Sequence, residues 1–295
     1  MSGASPAVSV IVATYHCPVA LKAALESVLL QDFDDYEVRV IGDGCTDDSA
    51  AVVASLNDPR LHWTNLPHNT GTPGAPRNEG LRQARGRYIA WLGHDDLWLP
   101  WHLSSLLDCL KDGGDFACTL GVAYGPDGVS RAIALPIESV DHHVGISPSH
   151  WMQTRALADR VGAWSTTLPN SIDVDYLQRL WSLGMQARFC RRLTTIKFAS
   201  VRWRPYADAA LMPQPAWLER IRTDAHAVEY DILLDMAEHL ATHDRKLTAG
   251  EEIRASLHGL ARAALTAYGR RRWPASILLQ WINRRRRGLP IFGPR

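Results

Sequence analysis

Strand-like and helix-like segments alternate four times between residues 8 and 111, and few folds accommodate that order. Val8 to Ala13, VSVIVA, is a β-branched run of the kind expected of a strand buried on both faces. PVALKAALESVLLQ follows, with Pro18 near a helix start and apolar residues at helical spacing. YEVRVIG then reads as a second strand and DDSAAVVASLND as a second helix, with Thr46 and Asp47 suited to cap it. RLHWTNL reads as a third strand, and APRNEGLRQAR as a third helix with Gly86 as the glycine just past its end. RYIAWLG is the fourth strand and PWHLSSLLDCLKD the fourth helix. The alternation predicts an α/β fold, a doubly wound and mostly parallel sheet.

Ligands of such sheets bind beyond the carboxyl ends of the strands. The first strand ends at Thr14-Tyr15, the second at Asp43 and the fourth at His94-Asp95-Asp96. Topology alone therefore gathers these polar residues on one edge. From residue 114 the pattern changes. GDFACTLGVAYGPDGVSRAIALP reads as two strands about the turn GPDG, and a His-rich loop, ESVDHHVGISPSH, follows. TRALADRVGAW and NSIDVDYLQRLWSLG read as helices, residues 187–204 as strands, and everything after Pro213 as helical.

Composition excludes several partners. The formal net charge of +1 gives no global field toward nucleic acid. No segment approaches the roughly 18 uninterrupted apolar residues of a membrane span. MSGASPAVSVIV has no basic stretch before its short apolar run and is not expected to be a signal peptide. Five cysteines without a CxxC spacing predict a reduced, cytosolic chain with no disulfide framework.

Adjacent acids at a strand end have two readings. Asp95 and Asp96 could cap the helix that follows. They could instead hold Mg²⁺ or Mn²⁺, which take oxygen ligands from one or two carboxylates plus substrate phosphates. Neither GxxxxGK[ST] nor GxGxxG follows the first strand, which argues against a P-loop ATPase and a dinucleotide-dependent dehydrogenase. What remains is a sheet that binds a nucleotide without a glycine fingerprint.

VSVIVATY, YEVRVIGDGCTDDS and NTGTPGAPRNEGLRQARGRYIAWLGHDD, in that order and spacing, resemble the signature of family-two GT-A glycosyltransferases. SIDVDYLQRLWSLG is similar to that family's acidic motif on the acceptor side, so the resemblance spans residues 7–195. It implies a GT-A-like catalytic domain over 1–204, with a nucleotide-binding half at 7–113 and an acceptor half at 114–204; residues 205–295 form a helical C-terminal appendage. It also implies an inverting hexosyltransferase. The donor would be a nucleotide sugar, with UDP-sugars favoured, the acceptor a hydroxyl of a saccharide or lipid-linked saccharide, and the cofactor Mn²⁺ or Mg²⁺.

The same resemblance implies roles. Thr14 and Tyr15 would border the nucleobase and ribose. Asp43 would accept a hydrogen bond from the base, although an Asp before Gly44 also suits a plain turn. Arg77 would lie near the phosphates; its alternative is a solvated helix face, but a cation at a helix start wants an anion nearby. Asp95 matches the last acid of the DXD motif and would bind the metal, with Asp96 supporting it or capping the helix. Gly93 replaces the first acid of that motif, which brings His94 into the nucleotide-binding set. Asp173 would be the general base that takes the acceptor hydroxyl's proton. Asp175 is its competitor on a different helix face, and N-capping is the alternative for both. Ile172 stands where the family has a Glu. His143, Trp151, Gln153 and Trp164 lie where the family places acceptor-side residues. His143 with His142 and Asp141 could also suggest a metal site, though no second cluster completes it.

Two competing classes remain. A sugar-1-phosphate nucleotidylyltransferase would want a GxGxR loop where ATYHCPVAL stands. A catalytically impaired nucleotide-sugar-binding relative is the reading that Gly93 and Ile172 favour. Finally, Ile277, Leu278, Trp281 and Ile282 recur at helical spacing between arginine clusters. Residues 270–287 either pack on the protein or lie peripherally on an anionic membrane surface, which would place a cytoplasmic protein at the inner face.

Overall fold

The computed structural model of the chain describes residues 5–125, 128–133, 147–168, 171–198 and 212–244. Its first half follows the alternation: β1 (Val8–Thr14), α1 (Pro18–Leu29), β2 (Tyr36–Gly42), α2 (Ser49–Ser55), β3 (Leu61–Asn65), α3 (Gly74–Gln83) and β4 (Tyr88–Gly93). A two-residue strand, β5 (Leu97–Trp98), precedes α4 (His102–Lys111). Then come β6 (Phe116–Gly125), β7 (Gly128–Ile133), a 3-10 turn (Pro148–His150), β8 (Trp151–Thr154), α5 (Arg155–Val161), α6 (Ile172–Ser182), β9 (Ala187–Phe198) and α7 (Gln214–Asp244).

One sheet runs in the order β3-β2-β1-β4-β8-β6-β9-β5, with β7 paired to β6. β1 to β4 are mutually parallel where they pair, β8 is antiparallel to β4 and β6, and β6 runs parallel to β9. Side-chain alternation in β1 explains why its run is apolar throughout. Val8, Val10 and Val12 join Leu21, Leu25 and Val28 of α1 in one core, while Ile11 points through the sheet to Trp91, Trp151 and Trp164. Full burial of each Leu or Val contributes about 1.5–3 kcal/mol.

Several expectations change. α3 ends at Gln83, so Gly86 is not its terminating glycine. Gly86 instead lets the chain pass against β1: a Cβ there would lie 2.4 Å from the Ser9 backbone nitrogen. Backbone cannot step aside as a side chain can, so Gly86→Ala is expected to cost about 1–3 kcal/mol. Urea unfolding checks this, and an unshifted midpoint would count against it. Asp48, not Thr46 or Asp47, holds the cap position of α2, although Asp47 Oδ1 accepts from Ser49 N at 3.2 Å.

The expectation of no disulfide is also overturned, because Cys109 of α4 and Cys190 of β9 are joined across a sequence separation of 81. The packing of α4 against β9 creates that proximity, and no local spacing announces it. α7 is the helix expected C-terminal to the sheet, and it packs into the fold. Its Leu218, Ile221, Val228, Ile232 and Met236 share a core with Leu97, Val122 and Ile196. It bends at Asp224, whose Oδ1 accepts from Ala227 N at 2.9 Å and caps the second segment. No helix among the described residues is long and apolar enough to cross a membrane. Residues 270–287 lie outside the described residues.

Candidate active site

The carboxyl edge of β1, β2 and β4 is stitched together by short polar contacts. Asp43 N donates to the Thr14 carbonyl at 2.9 Å, holding the ends of β1 and β2 in register. Tyr15 is 44% exposed and its ring stacks on His16 at 4.2 Å. His16 has φ +46°, a left-handed conformation uncommon outside glycine, and its Nε2 accepts from Thr46 N at 3.2 Å. Thr70 donates to Asp43 through its N–H, 3.1 Å from each carboxylate oxygen, and through its hydroxyl at 2.8 Å. Asp43 therefore anchors the 66–73 loop as well as ending β2, and a base would have to share its oxygens with Thr70.

Gly93 has a spatial explanation. A Cβ there would sit 2.8 Å from Asp96 Oδ2 and 3.1 Å from Asp95 Oδ1. The carboxylates of 95 and 96 fold over the space that a side chain at 93 would need. Asp96 is fully buried, with Oδ2 accepting from Ser149 Oγ at 2.5 Å and the carboxylate 3.2 and 3.3 Å from Lys197 Nζ. The helix-cap reading of the acids fails, because Trp101 occupies the cap position of α4 and the Leu103 N–H of its first turn donates to Gln31 Oε1 at 2.9 Å. Asp95 is buried at 9% exposure, and its carbonyl accepts from Gln214 Nε2 of α7 at 3.0 Å. His94, half-buried, lies between Gly93 and Asp95.

These donors suit a hard divalent cation only in part. Among the described residues no group of three His, Cys, Asp or Glu side chains could hold a metal. Asp96 is engaged by Lys197 and Ser149, and Asp95 beside it is the carboxylate that would join substrate phosphates around an ion. That arrangement fits Mg²⁺ or Mn²⁺ chemistry, which needs only one or two carboxylates beside the phosphates.

Arg77 sits in the first turn of α3, where a cation opposes the helix dipole. Its guanidinium lies 4.4 Å over the Trp164 ring, which stacks on Tyr176 at 3.9 Å. Burial lowers Arg77 to about 10, and Asp173 first, then Asp96, pull against that shift. The solvated-face reading of Arg77 is thus overturned: the guanidinium packs on Trp164 and lies in the field of Asp173 and of Asp96. Asp173 is half-buried in the first turn of α6, its Oδ1 accepting from Val174 N at 3.0 Å. Asp175 is bound by Arg179 at 2.9 Å, one helical turn on. Ser171, not either Asp, holds the cap position of α6.

The acceptor-side tryptophans are corrected. Trp151 and Gln153 are fully buried and Trp164 is 2% exposed, all in the core under β4. Their rings and amide fill the space between sheet and α6, so they support the site from beneath rather than meet a ligand. His143, with His142 and Asp141, lies outside the described residues. Sequence reasoning passed over Lys197, Ser149 and Thr70. Only Lys197 carried a signal: it is the one charge in the otherwise uncharged run LTTIKF.

Comparison with known proteins gives consistent findings. The protein-family model described as Glycosyl transferase family 2 matches residues 9–164. An Escherichia coli protein named UDP-Glc:alpha-D-GlcNAc-diphosphoundecaprenol beta-1,3-glucosyltransferase WfaP is 27% identical over 185 residues, covering 61% of this chain and 72% of that protein. A Campylobacter jejuni GalNAc(5)-diNAcBac-PP-undecaprenol beta-1,3-glucosyltransferase is 37% identical over 111 residues, covering 37% of this chain and 36% of that one. The chain thus spans little more than a third of the second relative's length. Among solved structures, S. aureus TarS 1-349 in complex with UDP-GlcNAc superposes with TM-score 0.60 at 20% identity, covering 88% of this chain and 81% of that chain. The mannosyltransferase PcManGT from Pyrobaculum calidifontis superposes with TM-score 0.54 at 19% identity, covering 94% of this chain and 79% of that chain. At these identities the superpositions show the fold.

Proposed function

The chain belongs to glycosyl transferase family 2, and from that premise we propose that it transfers a hexose, with inversion, from a UDP-sugar to a hydroxyl of a lipid-linked saccharide. The observation that supports the reading is Arg77, whose guanidinium over the Trp164 ring feels both Asp173 at the start of α6 and Asp96 just past β4. Single displacement at a sugar carbon requires a stabilised leaving group and a base for the acceptor, and Asp173 and the groups past β4 would supply them. The acceptor oxygen forms a bond to C1, the bond from C1 to the β-phosphate oxygen breaks, and the nucleoside diphosphate departs with that electron pair. Asp173 takes the hydroxyl proton. Asp175 is the weaker choice because Arg179 already holds it.

Tyr15 offers an exposed ring face to a base, and Arg77 a cation to the diphosphate. A divalent ion held by Asp95 would supply further charge neutralisation on the leaving diphosphate. The names of the two relatives above, which give diphosphoundecaprenol- and PP-undecaprenol-linked saccharides, support this acceptor class. Peripheral contact of residues 270–287 with an anionic membrane surface would suit such an acceptor. Release of nucleoside diphosphate from a panel of nucleotide sugars, with a diphospho-polyprenol saccharide present and absent, tests the function. Binding without acceptor-dependent release would instead favour a catalytically impaired relative.

Asp95→Ala is expected to make nucleotide affinity indifferent to Mn²⁺ while the protein stays folded, since the side chain adds little to the core. Calorimetry with UDP at fixed and zero Mn²⁺ checks this. A metal response equal to that of the unaltered protein would remove Asp95 from the metal role.

A further inference from the structure

We propose that Lys197 is a diphosphate-binding residue of the donor site, with its ammonium shared between Asp96 and the phosphate oxygens of the leaving group. This rests on the reading above that the site takes a nucleoside diphosphate sugar. β5 and β9 pair antiparallel with Leu97 opposite Ile196 and Trp98 opposite Thr195. One step further in that register brings Asp96 opposite Lys197, so the pairing of two strands delivers the lysine to the end of β4.

Its neighbours in β9, Thr195, Ile196 and Phe198, are fully or almost fully buried. An apolar residue at 197 would pack there without the desolvation cost of an ion pair, so stability alone does not call for a lysine. The pair is lopsided. The Asp96 side chain is 1% exposed and that of Lys197 is 29% exposed, so the lysine, unlike its partner, keeps part of its side chain at the surface although its charge is desolvated. Among the described residues, Nζ donates to the Asp96 carboxylate, and an ammonium has three N–H donors. Charge balance points the same way. A diphosphate entering beside Asp95, Asp96 and Asp173 meets repulsion unless cations line its path; Arg77 lies in the field of Asp173 and Asp96, and Lys197 in that of Asp96 and Asp95.

Binding of UDP and of uridine, measured by calorimetry with EDTA present, tests the assignment in the full chain. The variants are Lys197→Met, Lys197→Arg and the double variant Asp96→Asn/Lys197→Met, in which no buried charge is left unpaired. Loss of one charge-assisted contact predicts about tenfold or more weaker UDP binding in Lys197→Met and equally in the double variant. Uridine binding stays unchanged, and Lys197→Arg keeps UDP affinity within a few-fold. Recovery of UDP affinity in the double variant would overturn the proposal, because Lys197 would then serve only as the partner of Asp96. UDP affinity in Lys197→Met equal to that of the unaltered protein would overturn it too. If the unaltered protein binds no UDP at all, with or without Mn²⁺, it is the donor reading of the site that falls.

Discussion

Asp173→Asn is expected to lower turnover by about 10²-fold or more while nucleotide-sugar affinity stays within about twofold. The amide keeps the size of the carboxylate and can still accept from Val174 N, so the first turn of α6 is preserved. What it cannot do is take a proton. The control is Asp175→Asn, which loses only a half-exposed pair with Arg179, worth well under about 1 kcal/mol. Steady-state rates with saturating donor, beside donor affinity measured separately, make the comparison. A larger loss in Asp175→Asn than in Asp173→Asn would mean that the base has been misassigned.

Trp164→Ala is expected to cost about 3–5 kcal/mol of stability and to raise the donor KM. The ring meets Trp91 edge-on at 5.1 Å, lies parallel to Trp151 at 6.4 Å and is stacked on Tyr176. Removing it leaves a cavity between the sheet and α6. It also removes the surface under the Arg77 guanidinium. The backbone link to α3 survives, since Trp164 N donates to Asn78 Oδ1 and its carbonyl accepts from Asn78 Nδ2. A KM effect would therefore report the ring and not a detached α3. Trp164→Phe should retain most of both properties. Urea unfolding gives the stability, and a Trp164→Ala protein as stable as the parent would show that the aromatic layer is dispensable.

The candidate site was legible in the sequence where it depended on strand ends. Thr14, Asp43 and Asp95 each close an apolar run, and a parallel sheet necessarily brings such ends to one edge. It was misread where a side chain's direction mattered. Trp151 and Gln153 belong to a short antiparallel strand between β4 and β6, and both are buried by α6 and its neighbours. An acceptor-side location in the chain says nothing about which way such a ring points. Asp95 and Asp96 look equivalent in sequence, yet Asp96 is fully buried and held by Lys197 and Ser149, while Asp95 keeps 9% exposure.

The sequence by itself determined the four βα units, the buried character of β1, β2 and β4, and the edge on which the polar residues gather. Those properties are local: they follow from periodicity, turn chemistry and the handedness of parallel crossovers. Only the tertiary structure decided how residues far apart in the chain meet. Lys197 reaches Asp96 across 101 positions, Asn78 reaches Trp164 across 86, and Cys109 reaches Cys190 across 81. α7, which the pattern placed C-terminal to the sheet, completes the core beside β5, β6 and β9. Each of these meetings depends on the strand order β8-β6-β9-β5, which places late strands beside early ones. Hydrophobic periodicity records which face of an element is buried, but not which partner buries it.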